Sequence, residues 1–280
     1  MSNHFIKYIL LLIPIFIVAC DITKTVDYDI PLSENKIVIT GFIGLDNRAE
    51  VFISTSHQPL SLDEDSIYEA EVSLFEDGVS IKSLTRNNES IYISDGFNPK
   101  LGKSYVISTV INGFPDAISE LEIIPSPVKL DSVRYLLNME QEILISMYFK
   151  DPPIKNYYAV KIIRSYNDTL VAKADVVYKV FNPSVVFEDK LFNSQVYTYE
   201  RKLNLAAGRV NNKSFYYNHI DVILYSITES GYKFFKDLDE SDYTNGDMFT
   251  TATQIRSNII NGYGIFAAYS TDTVKLNLDL

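Results

Sequence analysis

Cys20 is the only thiol in the 280-residue chain. It closes a stretch that opens Met1-Ser2-Asn3-His4-Phe5-Ile6-Lys7-Tyr8 and runs on as apolar residues from Ile9 to Val18. Ile17-Val18-Ala19-Cys20 sets an apolar residue, a tolerant position and a small residue directly ahead of the thiol. That order reads as a lipobox. A thiolate is the nucleophile that can take a diacylglycerol, and cleavage before Cys20 frees its amine for a further acyl chain. A short basic start and an apolar run of about ten residues describe a secretory signal, whereas a spanning helix needs roughly 20. A lone thiol is otherwise out of place in an exported protein. Each buried acyl CH₂ contributes about 0.8 kcal/mol, so two or three chains hold a body on a membrane without a spanning segment. Cys20 is therefore the expected lipidation site, residues 1–19 the signal peptide and residues 20–35 the lipidated Cys and its tether.

The remaining chemistry-bearing residues form no catalytic set. His4 leaves with the signal, and neither His57 nor His219 has a second His, a Cys or an acid pair at zinc spacing. No Gly-x-Ser-x-Gly elbow and no phosphate loop occur. Gly262-Tyr263-Gly264 lacks the third glycine and the βαβ setting of a dinucleotide site. Asp237, Asp239, Glu240, Asp242 and Asp247 form an acidic cluster, but a calcium loop counted from Asp237 would need glycine where Asp242 stands. A solvated acidic helix end is the preferred reading, with cation binding left open. Asp63, Glu64 and Asp65 read as a loop tip. No catalytic residue, metal ligand or cofactor is expected, and the ligand-binding residues stay unassigned. An enzyme working through paired carboxylates is the least favoured reading.

The charge agrees with this. Lys and Arg total 25 against 36 Asp and Glu, a net charge of −11 and a pI near 4.8. A phosphate backbone selects clustered Lys and Arg, so nucleic acid is excluded as a main partner. The same charge gives the body no attraction to anionic lipid, which leaves anchoring to the acyl chains.

The elements that carry these residues follow a period of two. Runs at 36–42, 50–54, 69–75, 90–94 and 104–112 are rich in Val, Ile, Phe and Tyr, and turn pairs such as Asp77-Gly78, Asp95-Gly96 and Asn112-Gly113 separate them. They predict an immunoglobulin-like sandwich domain over 36–125. Pro125-Ser126-Pro127 is the expected boundary. A second β-rich domain is expected over 128–280, with strands at 128–137, 143–149, 157–165, 169–180, 197–205, 219–226, 264–270 and 273–278. Tyr232, Phe235 and Leu238 recur at helical spacing and predict one short helix over 228–239, capped by Thr228 or Ser230. The fold class is all-β, mostly antiparallel. Adjacent strand residues point to opposite faces, so Tyr157-Tyr158 and Tyr216-Tyr217 are each expected to bury one ring and expose the other.

Four segments then gain weight together: Asp151-Pro152-Pro153 with Asn156-Tyr157-Tyr158, Glu188-Asp189-Lys190-Leu191-Phe192-Asn193, Gly246-Asp247-Met248-Phe249, and Ser257-Asn258 through Ile265-Phe266. Their order behind the lipobox resembles a Bacteroidota lipoprotein family catalogued as a domain of unknown function (DUF4249-like). Two positions depart from it: Ser194 stands where a Gly is expected after Asn193, and Ala267-Ala268 replaces a Gly-rich pair. The resemblance carries no catalytic residue. It implies an outer-membrane lipoprotein beside a TonB-dependent transporter, with the four segments as scaffold and function in the loops. The expected function is a non-enzymatic binding or accessory module held by acyl chains on Cys20. The alternative is a structural, adhesion or envelope-assembly lipoprotein.

Overall fold

The computed structural model describes residues 34–45, 47–57, 69–87, 91–138, 142–166, 169–170, 181–210, 213–244 and 253–278. The expected signal, Cys20, most of the tether, Asp63-Glu64-Asp65, most of the run at 169–180, and Gly246-Asp247-Met248-Phe249 lie outside them.

The first strands are β1 (Ile37–Gly44), β2 (Asn47–Thr55), β3 (Glu71–Glu76), β4 (Val79–Ser83), β5 (Thr85–Arg86) and β6 (Ile91–Ile93). They are followed by β7 (Ser104–Val110), β8 (Ala117–Ser119) and β9 (Glu122–Ile123). After the Pro125-Ser126-Pro127 link come β10 (Leu130–Leu137), β11 (Glu142–Lys150), β12 (Tyr157–Tyr166), β13 (Thr169–Leu170) and β14 (Val185–Glu188). A 3-10 turn spans Asp189–Leu191, then β15 (Val196–Asn204), β16 (Ala206–Val210), β17 (Lys213–Tyr216) and β18 (His219–Ile227). Helix α1 (Glu229–Thr244), β19 (Ile259–Ile260) and β20 (Gly262–Asn277) complete the chain. Among the described residues the fold is mostly β and mostly antiparallel with one α-helix, as the periodicity predicts.

A nine-stranded sheet runs β13-β12-β18-β20-β1-β2-β6-β5, with β14 joined to β12. One of its faces carries two smaller sheets. Ile37, Ile39, Val51, Phe266 and Ala268 meet Val72, Leu74, Tyr105 and Ile107 of the sheet built around β7 and β3. Tyr158, Val160, Ile220, Val222 and Leu224 meet Ile143, Ile145, Met147 and Phe149 of the sheet β10-β11-β15. The opposite face is covered by α1 through Tyr232, Phe234 and Phe235, set against Phe42, Ala159, Tyr225, Ala267 and Tyr269. Two sandwiches thus share one long sheet, and α1 backs it.

Residues Asn35–Leu280 form one compact unit. The apolar cores divide near Pro125, where the prolines stand, but the sheet does not: β1 lies between β2 and β20. The expected strands at 264–270 and 273–278 are a single strand, β20, 16 residues long. The polar Ser270-Thr271-Asp272-Thr273 stretch suggested a break. Ser270 is instead fully buried, and Asp272 accepts bonds from Lys129 Nζ and Leu130 N, each at 2.8 Å. The Tyr157-Tyr158 expectation also fails, because both rings are buried. They do point to opposite faces, but α1 covers the face that was expected to meet water. Tyr217 is buried and Tyr216 half-buried. Helix α1 extends past the expected 239 to Thr244. Gly231 in its first turn is a fitting device rather than a breaker, since a Cβ there would lie 3.0 Å from the Ala267 Cβ.

Candidate functional site

A cleft of about 660 Å³ opens where four separated stretches meet: β9 and the proline link, residues 154–157, the start of α1, and residues 256–258. That volume is in the range that holds small organic ligands. Its floor includes Ile227 and Ile265, which are buried, and its rim includes Leu121, Ile123 and Ile154, which are at least half exposed. Exposed apolar residues gathered at one concavity differ from apolar residues scattered over a surface.

Glu122 sits in this cleft and is almost fully buried. It accepts a short hydrogen bond from Ser230 Oγ and another from Asn258 Nδ2 at 3.0 Å. Burial pushes its carboxyl above the ordinary value, against the lowering effect of the Ser230, Thr228 and Asn258 contacts. Asn258 also brackets Phe266 in β20: its Nδ2 donates to Phe266 O at 2.7 Å and its Oδ1 accepts from Phe266 N at 2.9 Å. Thr228 occupies the N-cap position, its carbonyl accepting from Tyr232 N at 3.0 Å. Its hydroxyl joins sheet and helix start, accepting from Ala268 N at 3.3 Å and lying 3.1 Å from Ser230 Oγ. One polar network therefore ties β9, β20 and the helix start together.

Charges line the wall. Glu229 Oε1 lies 2.9 Å from Lys233 Nζ and 3.8 Å from Lys155 Nζ. Lys233 first, with Tyr157 and Lys155, holds the Glu229 carboxyl below the usual range. Tyr157 stacks on Tyr232 at 4.9 Å between centroids, and Lys155 Nζ stands 4.8 Å from the Tyr157 ring. The Tyr157 hydroxyl is buried and no described group meets it in hydrogen-bonding geometry. Lys155 and Glu229 lie close enough to act on it, but burial dominates and raises its pKa. Across the cleft, Arg256 binds Asp237 through Nη2 at 2.5 Å and Nε at 2.7 Å, and its backbone N adds a third bond at 2.9 Å.

The acidic cluster is thus not wholly a solvated helix end. Asp237 is 4% exposed and engaged by Arg256. Asp239, Glu240 and Asp242 are exposed, and Asp247 lies outside the described residues. Among the described residues no group of three His, Cys, Asp or Glu could hold a metal ion. His219 opens β18 with its Nδ1 2.8 Å from Asn218 Oδ1, and His57 stands just past β2. Neither borders the cleft. Its polar residues, Glu122, Lys155, Tyr157, Glu229, Lys233 and Arg256, were not singled out as a set by sequence, because they come from four distant segments.

The segments that looked familiar act on one another. Asp151, buried, accepts from the Tyr158 hydroxyl and from Ser194 N at 2.9 Å. Asp189, also buried, accepts from Asn156 N at 2.7 Å. These carboxylates clip the Asp-Pro-Pro link to the 3-10 turn, and Asn258 does the same for the last segment. A family model described as a domain of unknown function, DUF4249, matches residues 23–275. The chain belongs to this family. No curated protein matches it. Seen as a DUF4249 member, the chain spends its segments at 151–158, 188–194 and 257–266 on scaffold, and two of them also set the walls of the cleft. Ser194, where the resemblance implied a glycine, has φ 65°, the left-handed region in which glycine is least strained. Of the final glycines, Gly264 has φ 104°, and a Cβ there would come 2.0 Å from Ile39 O. These glycines allow β1 and β20 to approach, while the turn residue is Asn261 at φ 59°.

Proposed function

We propose that this DUF4249 member is an outer-membrane lipoprotein, anchored through acyl chains on Cys20, whose β body works as a non-enzymatic binding or accessory module. The observation that carries the reading is the sole thiol of the chain standing at the end of a lipobox. The cleft supports binding over catalysis. Its one buried carboxyl, Glu122, is tied by Ser230 and Asn258, and Arg256 is tied by Asp237. A TonB-dependent transporter is the partner to test.

The test is expression of the tagged full chain in its native host with an alkyne-bearing fatty acid, followed by mild membrane extraction and mass spectrometry. The expected result is label on Cys20, mature protein beginning at that residue, and a β-barrel partner at near-stoichiometric yield. Cys20→Ser should abolish both label and membrane retention. Unlabelled wild-type protein would remove the lipoprotein reading. A labelled protein that comes out alone would instead leave independent ligand capture, without a transporter.

A further inference from the structure

One buried hydroxyl in the cleft is unspent, and the ammonium beside it is only loosely paired. The Tyr157 hydroxyl is on a residue 7% exposed and has no partner among the described residues. Burying a hydroxyl without a partner is unfavourable, and an explanation is needed for each such group. The Lys155 ammonium, two residues earlier, stands 4.8 Å from the Tyr157 ring and near enough to its hydroxyl to raise the Lys155 pKa. The nearest acidic oxygen, Glu229 Oε1, is 3.8 Å away and is already engaged by Lys233 at 2.9 Å. Both donors border the same cavity. An anionic oxygen is therefore at home beside them, as Glu229 demonstrates, yet Glu229 leaves both underused. Glu229 opens α1, so the partial positive charge of a 16-residue helix also favours an anion there.

Beside this polar wall the cavity has an apolar side. Leu121, Ile123 and Ile154 face water at its rim, with Ile227 and Ile265 beneath. A sugar would want an open aromatic face, but the Tyr157 ring is stacked on Tyr232 and overlaid by Lys155. An organic cation would meet Lys155, Lys233 and Arg256.

We propose that the cleft binds a small amphiphilic carboxylate, its head taken by Lys155 and the Tyr157 hydroxyl and its apolar body laid against Ile123, Ile154, Ile227 and Ile265. Glu229 is then a resident competitor that occupies part of the head-group position in the empty protein. This rests on the binding-module reading and gives that module a ligand class.

The test uses the full chain in lipid nanodiscs, titrated calorimetrically with 4-phenylbutyrate against empty discs. The controls are 4-phenylbutan-1-ol, 4-phenylbutylamine and acetate. The carboxylate should bind saturably, and the alcohol, amine and acetate at least tenfold more weakly. Loss of one hydrogen bond to a charged group corresponds to about tenfold in affinity, so Tyr157→Phe and Lys155→Met should each weaken binding by about that factor. Tyr157→Phe should leave the melting temperature unchanged or higher, because the hydroxyl it removes has no partner. Glu229→Gln should tighten binding severalfold. Equal binding of the alcohol, no saturable binding, unchanged affinity in Tyr157→Phe, or weaker binding in Glu229→Gln each overturns the proposal. Mass analysis of Cys20 on the same preparation separates the two ideas. Acylated protein that ignores 4-phenylbutyrate sinks the ligand class alone, and binding by unacylated protein sinks the anchor alone.

Discussion

Replacing Asn258 by Ala should cost about 3–5 kcal/mol of folding free energy. The side chain is 6% exposed and makes three hydrogen bonds, at 2.7, 2.9 and 3.0 Å, to Phe266 O, Phe266 N and Glu122 Oε1. Truncation to Ala strands the N–H and C=O of Phe266, a fully buried residue, and removes a donor from a buried carboxyl. Each stranded group costs roughly 1–3 kcal/mol, and the shared network makes the sum less than additive. Water entering from the cleft restores part of the loss, which places the total near the middle of the simple sum. That is a large share of a typical stability of about 5–15 kcal/mol. Urea unfolding followed by tyrosine emission is the assay, since the chain has 20 Tyr and no Trp. Asn258→Asp provides a sharper control. It keeps the acceptor for Phe266 N but sets a second carboxyl against Glu122, so its loss should exceed that of Ala at neutral pH and shrink as the pair takes up a proton. The reasoning is refuted by a loss under about 1 kcal/mol in Asn258→Ala, or by Asp and Ala variants that match at every pH.

Gly264→Ala should prevent accumulation of folded protein, because the added Cβ would meet Ile39 O at 2.0 Å in a left-handed backbone. Gly231→Ala, at 3.0 Å from a methyl group, should cost only about 1–2 kcal/mol by the same unfolding assay. Ser194→Gly should stabilise by about 1 kcal/mol, since a left-handed residue with a Cβ carries roughly that strain. No midpoint shift would contradict this. Arg256→Ala should cost about 2 kcal/mol at pH 7, less than a fully buried pair would, because the Arg256 side chain is half exposed. Burial alone would raise the Asp237 carboxyl, but Arg256 outweighs it and holds it below the ordinary 3.8. In the wild type this contributes stability present above the unfolded value and lost as pH falls through the folded one. Without Arg256 the burial effect remains, so the variant should lose less on acidification. Parallel pH–stability curves for the two proteins would contradict that assignment.

β1, β2, β6, β12 and β18 of the nine-stranded sheet were legible in sequence because alternation survives wherever one face meets a core, whereas β5 and β14, two and four residues long, were not. Tyr157 and Tyr158 show where that logic stops. Alternation tells which residues share a face, but not that α1 covers the second face. Asp237 misled for a related reason. It belongs to an acidic run, and its partner Arg256 comes from a segment with no helical or strand pattern around it. β20 looked like two strands because Ser270 and Asp272 are polar, and neither the burial of Ser270 nor the long-range partners of Asp272 can be seen locally. β9 and β19 are two residues each, too short for a period to show. The cleft was least legible of all. Glu122, Lys155, Glu229 and Arg256 carry no local motif, and only the folding of the helix start against the proline link brings them together. Ser194 is the opposite case. The family resemblance implied a glycine at this position, and the left-handed backbone there is where glycine is least strained.

The pairing of β1 with β20 has a consequence for the order of assembly. The two strands run parallel in unbroken register from Ile37↔Gly262 to Gly44↔Tyr269, at the centre of the sheet. A parallel pair cannot close through a hairpin, and here the connection is nearly the whole body. Loop-closure entropy rises slowly with length, but such non-local contacts are made late and fold slowly. As the chain emerges from its N-terminus, β1 can zip onto β2 early while its other edge waits for the last strand. During that wait the edge offers a row of open N–H and C=O groups to any neighbouring chain. β20 is therefore a closing element: when it arrives it seals that edge, completes all three apolar cores and brings Asn258 to Glu122. A nascent chain arrested before residue 262 would present the same open edge, and should be sensitive to proteases and to self-association in a way the finished protein is not.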